Sequence, residues 1–377
     1  MTSVLGPTLP MLAAYLHVPE SGMGIVFGAN FLAATVATPL AACAFDLLGA
    51  RVLVPLGLLA EALGVLGQGV AVSLPLVAAA AALSGLGMGS GVVCGTITVG
   101  SLFPDHREAS LNVQNACFGP GAFLAPLLAR FSLLQFGAYQ PAYVITAAML
   151  AIPVVPLWIG LPAGRTYGQS RHHVSSRFMI NDRRMWAYAV LSFFYLGTEI
   201  GFCGWIVVML QRMSHLTPVA AAPIASIYWL MLAVGGVPTA VLLHRGVPPA
   251  GIISTSAACA AATEIALMFF GAVIPVAVVT AALMGAFLSP ILPLNIAAAG
   301  RRAHERSPGT MGSSTALVLM AGQLGGTVLP PLQGLLLTVG PRVAIAQACV
   351  GSLAILAIQH AIRVPSSGAA RSAVVEA

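Results

Sequence analysis

Lysine is absent from this 377-residue chain, and only 7% of its residues are charged, against roughly 25% in a soluble domain. All 16 basic residues are arginine. The six cysteines (Cys43, Cys94, Cys117, Cys203, Cys259, Cys349) form no CxxC pair and sit singly in apolar stretches. That excludes a thiol-redox motif or a zinc ribbon and leaves them as small packing residues. There is no HExxH, no GxSxG and no grouping of histidines with carboxylates inside an apolar run. A membrane-embedded enzyme would need one of these, so no catalytic residue, metal or cofactor is expected. No basic leader precedes the first apolar run, which contains Pro7 and Pro10, so no cleavable signal is read.

What the chain has instead is long apolar runs, with 58% hydrophobic residues overall. Arginine is distributed unevenly between them. Arg51, Arg107, Arg165, Arg171, Arg177, Arg183, Arg184, Arg245, Arg301, Arg302, Arg306, Arg363 and Arg371 fall in every second connection or in the C-terminal tail. Only Arg130, Arg212 and Arg342 lie near the alternate connections. Cationic flanks are retained in the cytoplasm during insertion, so the arginine-rich connections read as cytoplasmic. The net charge of +6 therefore reports topology, and no nucleic-acid partner is expected.

A crossing helix needs about 20 apolar residues. That rule predicts spans at Thr2–Leu16, Gly22–Phe45, Val52–Ala71, Leu74–Leu102, Ser110–Phe131 and Ala142–Ile159. A second set is predicted at Met185–Leu210, Val219–Leu243, Gly251–Phe270, Ile274–Ala297, Met311–Val339 and Val343–His360. The fold class is all-α integral membrane, with twelve helices in two pseudo-symmetric six-helix bundles and both termini cytoplasmic. The first span, at about 1.5 Å per residue, reaches only about 23 Å. Either the bilayer thins there or the natural start lies upstream of Met1, and the second is favoured. The domains read as a bundle over 1–162, a cytoplasmic linker over 163–184, a bundle over 185–363 and a tail over 364–377. The linker carries five arginines plus His172 and His173, and reads as solvated surface with no further metal ligands nearby.

The halves repeat. Gly121-Ala122 followed by Pro126 matches Gly325-Gly326 followed by Pro330, Pro39 matches Pro238, and Glu61 falls close to Glu264, all about 200 residues apart. Duplicated halves are a transporter architecture, with the solute site between them near mid-membrane. The run Ser84-Gly85-Leu86-Gly87-Met88-Gly89-Ser90-Gly91 follows no strand and lies within an apolar span. It reads as a close-packing surface, not a nucleotide loop.

At this point the chain resembles the major facilitator superfamily over its whole length. The turn Asp46-Leu47-Leu48-Gly49-Ala50-Arg51 is similar to that superfamily's signature loop, to which a gating latch is ascribed; Leu47 and Ala50 replace commonly basic positions. The second copy, Leu243-His244-Arg245-Gly246-Val247-Pro248, departs further. The segment from Arg107 through Asn112, Gln114, Asn115 and Phe118 to Pro126, and Phe194-Tyr195-Leu196-Gly197-Thr198-Glu199 with Trp205, resemble the fucose and glucose/galactose proton symporter branch. Gly121-x-x-x-Ala125-Pro126-x-x-Ala129 is a degenerate form of a proton-antiporter motif, but the fourth-span arginine of drug exporters is missing. The resemblance implies a secondary transporter of a small solute.

Unpaired carboxylates in a bilayer are costly, at about 2.5 kcal/mol or more each. Glu199, beyond mid-span in the seventh helix, is the proton-coupling candidate. Glu61 and Glu264 lie on helices that the resemblance makes peripheral, and they read as supporting acids. Amides and aromatic rings suit a hydroxyl-rich solute. The binding candidates are accordingly Asn30, Asn112, Asn115, Tyr195, Trp205, Trp229, Asn295 and Gln323. Asp46, Gly49 and Arg51 are the signature-loop set. The expectation is a monomer in the cytoplasmic membrane, partnered by lipid, a small solute such as a sugar, and a proton. The alternatives are proton-coupled efflux of a drug-like or metabolite substrate, and a receptor or scaffold that does not transport.

Overall fold

The computed structural model describes residues 2–103, 110, 113–114, 117–161, 181–306 and 311–363. Among them every regular element is helical. In the first half these are α1 (Thr2–Tyr15), α2 (Gly24–Leu48), α3 (Ala50–Val70), α4 (Leu74–Leu102), α5 (Phe118–Phe136), α6 (Gln140–Ala151) and α7 (Val154–Gly160). In the second half they are α8 (Arg183–Ser214), α9 (Pro218–Val234), α10 (Gly236–His244), α11 (Pro249–Phe270), α12 (Ile274–Leu288), α13 (Ile291–Arg306), α14 (Met311–Leu336) and α15 (Pro341–Arg363). Lipid offers backbone groups no hydrogen bonds, so a spanning segment must satisfy them internally. Ten spans are long and apolar enough to cross a membrane; α1 and α5 complete the twelve.

Three predicted spans are broken near a proline or glycine. The sixth span is α6 followed by α7, interrupted before Pro153, and the eighth is α9 followed by α10, interrupted at Gly235. The tenth is α12 followed by α13, separated by Ser289-Pro290. Proline removes a helical donor and clashes with the preceding turn, so these breaks are local consequences of sequence. The seventh span starts two residues earlier than predicted, because Asp182 caps α8: its Oδ1 accepts the Arg184 backbone N–H at 2.9 Å. Its Oδ2 accepts Arg302 Nε at 2.9 Å, tying the start of α8 to the end of α13. Burial alone would raise the Asp182 carboxyl, but these donors hold it below the usual carboxylate range.

The duplication is written in the backbone. Six described residues have positive φ, and they form three pairs at matching places in the two halves. His17 and His215, both at φ 54°, follow α1 and α8. Gly49 (φ 75°) and Gly246 (φ 80°) turn the chain after the second and eighth spans. Gly137 (φ 63°) and Gly340 (φ 159°) follow the fifth and eleventh. A non-glycine residue at φ > 0 is uncommon, so the histidine pair is a specific trace of the repeat. Helix neighbours repeat as well: α2 with α4 corresponds to α9 with α12, α3 with α6 to α11 with α15, and α1 with α5 to α8 with α14.

The glycine run does pack helices closely. A Cβ on Gly85 would overlap the Asn30 carbonyl oxygen of α2, and one on Gly87 would overlap Gly57 and Glu61 of α3. Gly285 in α12 meets the Tyr228 carbonyl of α9 in the same way. With no hydrophobic drive between helices in lipid, small residues that let backbones approach provide the association.

Candidate functional site

The two halves meet along α2 with α14, α5 with α9, and α1 with α8. At the arginine-poor end this seam is tightly closed. Gly24 abuts Pro331, Phe27 packs on Gly204 and tilts against Trp205 at 5.9 Å, and Gly326 lies against Phe31. Gly6 lies on the Cys203 and Gly204 carbonyls, so the 14-residue α1 runs beside the half of α8 that ends at Ser214. The outermost link is ionic: Arg212 of α8 donates to Glu20 Oε2 at 2.6 Å and to the Leu337 carbonyl that ends α14. Among the described residues, the hydrogen bonds and ring contacts between halves reach inward only to Thr38–Gln323 and Phe118–Trp229.

Arg212, an exception to the arginine asymmetry, is therefore a strap across the closed end. Removing it with Arg212→Gln should raise labelling of a cysteine placed at Gly22 by an impermeant reagent about two- to fivefold. An exposed pair contributes about 0.2–1 kcal/mol, and one charge-assisted bond to Leu337 goes with it. Unchanged labelling would show that the close helix contacts alone hold this end shut.

Behind the closed end, polar and aromatic groups gather near mid-membrane. Glu199 sits about 24 Å from each end of α8 and is only 6% exposed. It is closer to the centre than predicted because α8 extends further at both ends. Tyr195, one turn earlier, faces its carboxylate, and Tyr228 of α9 points its hydroxyl at the Glu199 backbone carbonyl at 3.4 Å. Trp229 stacks edge-on against Phe118 at 5.6 Å across the seam, with its indole N–H buried and unpartnered. Gln323 Nε2 reaches Thr38 Oγ1 at 3.5 Å across the other seam, leaving its own Oε1 unpartnered. Gln114 Nε2 meets Thr96 Oγ1 at 3.4 Å and likewise keeps a free Oε1.

The other residues that the sequence marks as candidates occupy different places. Asn30 is fully buried and donates to the Ala81 carbonyl at 3.0 Å, joining α2 to α4. Asn295 donates to the Tyr188 carbonyl at 2.9 Å and to Ser192 Oγ at 2.8 Å, joining α13 to α8. Trp205 is fully buried and donates to the Pro330 carbonyl at 2.8 Å, within the closed end. These three side chains tie helices together. Asn112 and Asn115 lie outside the described residues, as does the side chain of Asp46. Gly49 makes the tight turn between α2 and α3, and Arg51 Nε holds the Trp158 carbonyl at 2.7 Å. Glu61 is half-buried on α3, whereas Glu264 on α11 is fully buried. Composition does not single out Thr38, Thr96 or Phe118 as site residues; the register of the seams brings in Thr38 and Phe118, and the contact with Gln114 brings in Thr96.

Solved structures share this architecture. The nucleoside transporter NupG aligns with a TM-score of 0.78 at 14% identity, covering 96% of each chain. The fucose:proton symporter FucP of E. coli aligns at 0.63 and 16% identity, covering 97% of this chain and 96% of its own. A bacterial homologue of the human lysosomal transporter Spinster, in an inward-facing and unoccupied conformation, aligns at 0.70 and 13%, covering 95% and 90%. No curated protein matches the chain. The profile of the Major Facilitator Superfamily matches residues 1–330, which takes in the first half and most of the second. The chain belongs to the major facilitator superfamily and is a membrane transporter, not an enzyme.

Proposed function

We propose that this protein moves a small neutral polar solute across the cytoplasmic membrane by alternating access, coupled to protons through Glu199. The observation that carries the reading is the placement of Glu199 at mid-α8, beside Tyr195 and Tyr228, behind a closed arginine-poor end. A buried carboxylate that can meet water or solute from one side at a time is suited to taking up and releasing one proton per cycle. The unpartnered Gln114 and Gln323 carbonyl oxygens and the Trp229 N–H offer both acceptors and a donor. With Phe118 and Tyr228, they suit a ligand bearing hydroxyls or amides on a flat or apolar face. No arginine is placed deep in a described span, which disfavours anions.

With the arginine-rich loops and both termini in the cytoplasm, the closed end faces outward and this conformation is inward-facing. In this reading residues 1–162 and 185–363 rock as two bodies about the seams, joined by 163–184. The test is uptake into proteoliposomes, screening neutral sugars, nucleosides and drug-like cations with and without an inward proton gradient. A neutral polar solute should accumulate only under the gradient. Accumulation of cations alone, or no response to the gradient, would overturn the reading.

A further inference from the structure

The groups gathered around Glu199 leave one buried acid without a role. Glu264 of α11 is fully buried, and neither of its carboxylate oxygens has a hydrogen-bond partner. It lies about 23 Å from the arginine-rich end of α11. Ser352 of α15 faces the carboxylate, and its own hydroxyl is also fully buried and unpartnered. On α15, next to Ser352, Gly351 meets α8: Thr198 presses its unpartnered Oγ1 onto it, and a Cβ on Gly351 would overlap that oxygen. The Glu264 carboxylate and the Ser352 hydroxyl thus face each other, and the Thr198 hydroxyl lies on Gly351, the residue next to Ser352.

No described basic side chain pairs with this carboxylate. The titratable groups within electrostatic reach are Cys349 of α15 and Tyr228 of α9. The α12 segment holds no titratable residue, and those of α13 lie in its last turns at the arginine-rich end. An isolated charge here is costly, so a cation must neutralise it. A set of carboxylate and hydroxyl oxygens is matched to a hard cation or a proton, not to a soft metal.

We propose that the junction of Glu264, Ser352 and Thr198 is a second coupling site, which binds and releases a small monovalent cation (a proton or sodium) during transport. Thr198 and Glu199 are consecutive on α8, one toward α15 and the other beside Tyr195. A shift of this turn when solute binds therefore changes both places together. The α11–α15 pair forms the stationary wall: Cys349 Sγ reaches the Ala261 carbonyl at 3.8 Å about one turn from Glu264. The inference rests on the transport reading above but not on Glu199 as the coupling residue.

Infrared difference spectroscopy of the full-length reconstituted protein tests it without a known solute. The probe is the carboxylic-acid C=O band, followed on raising pH without sodium and on adding sodium at fixed pH. In the Glu61→Gln, Glu199→Gln double variant one buried acid band should remain and should vanish reversibly. Loss with pH alone identifies a proton site, and loss on adding sodium identifies a sodium site. Glu264→Gln should remove that band, and Ser352→Ala should shift its midpoint about tenfold in cation activity, as loss of an oxygen that the bound cation would meet predicts. Should Glu264→Gln fold poorly, Glu264→Asp keeps the exchange measurable. A band insensitive to both pH and sodium marks a permanently protonated structural acid and overturns the proposal. Failure of the solute screen alongside a titrating Glu264 band would sink the transport reading instead.

Discussion

Glu199→Gln should abolish the share of proton-driven solute accumulation that Glu199 carries while leaving solute exchange intact. Glutamine keeps the size and hydrogen-bonding capacity of a protonated glutamate, so Tyr195 and Tyr228 retain a neighbour of the same shape. It cannot release a proton, so the step that ties carrier reorientation to the gradient is lost. One pH unit corresponds to about 1.4 kcal/mol, or about a tenfold concentration ratio for one proton per solute. The factor of about ten per pH unit that Glu199 contributes should therefore fall to about one, and any ratio left under the proton gradient is the share carried by Glu264. Counterflow of preloaded solute should remain within about threefold of wild type, since binding and the rocking motion are untouched. The pH dependence of exchange should flatten as well, because the titrating group is gone. Normal accumulation by Glu199→Gln would assign coupling elsewhere, with Glu264 the next group to replace.

The second large effect belongs to the helix crossings. Gly85→Val and Gly285→Val should each greatly reduce the yield of folded, monodisperse protein, and the double variant should yield none. Each new side chain would run into a main-chain carbonyl, that of Asn30 or that of Tyr228. A main-chain oxygen in a helix cannot swing aside as a side-chain tip can. Overpacking of this kind costs about 1–3 kcal/mol or more, and sites this far apart in separate halves should add. The milder Gly285→Ala separates folding from function. It should survive purification but move α9 relative to α8, taking Tyr228 away from Glu199 and cutting uptake about tenfold or more. Thermal stability and uptake equal to wild type in Gly85→Ala and Gly285→Ala would mean that these crossings are looser than they look.

Much of the architecture is legible in the linear chain, and the reason is the solvent. A bilayer imposes a length on every apolar run and a side on every arginine, and both are local properties of the sequence. Twelve spans, the special ends marked by Arg51 and Arg245, and the repeat at an offset near 200 all follow without tertiary contacts. The kinks are readable in part from Pro153, Gly235 and Pro290, although the predicted spans run through them. Apolarity alone puts the start of α8 two residues late, because its length depends on Asp182, which sits in the polar stretch before the apolar run. The repeat of positive φ at His17 and His215 has only the weak sequence trace of a histidine shortly before Pro19 and Pro218.

The identity of the groups at the centre is another matter. Composition marks Asn30, Asn295, Gln323, Trp205 and Trp229 alike as polar or aromatic residues inside spans. The structure divides them by how each helix is rotated about its axis. Asn30 and Asn295 donate to carbonyls of neighbouring helices, Trp205 seals the closed end, and Trp229 and Gln323 stand at the seams between halves. Rotation leaves little imprint on the sequence here, since lipid-facing and protein-facing sides are both apolar and hydrophobic periodicity fades. It is set by where backbones can approach, at Gly85 on Asn30, Gly285 on Tyr228 and Gly325 on Phe193. The sequence by itself determined that the chain crosses the membrane twelve times in two related halves. Which buried oxygen meets a solute, a cation or another helix was decided only when those close contacts set the rotation of each helix.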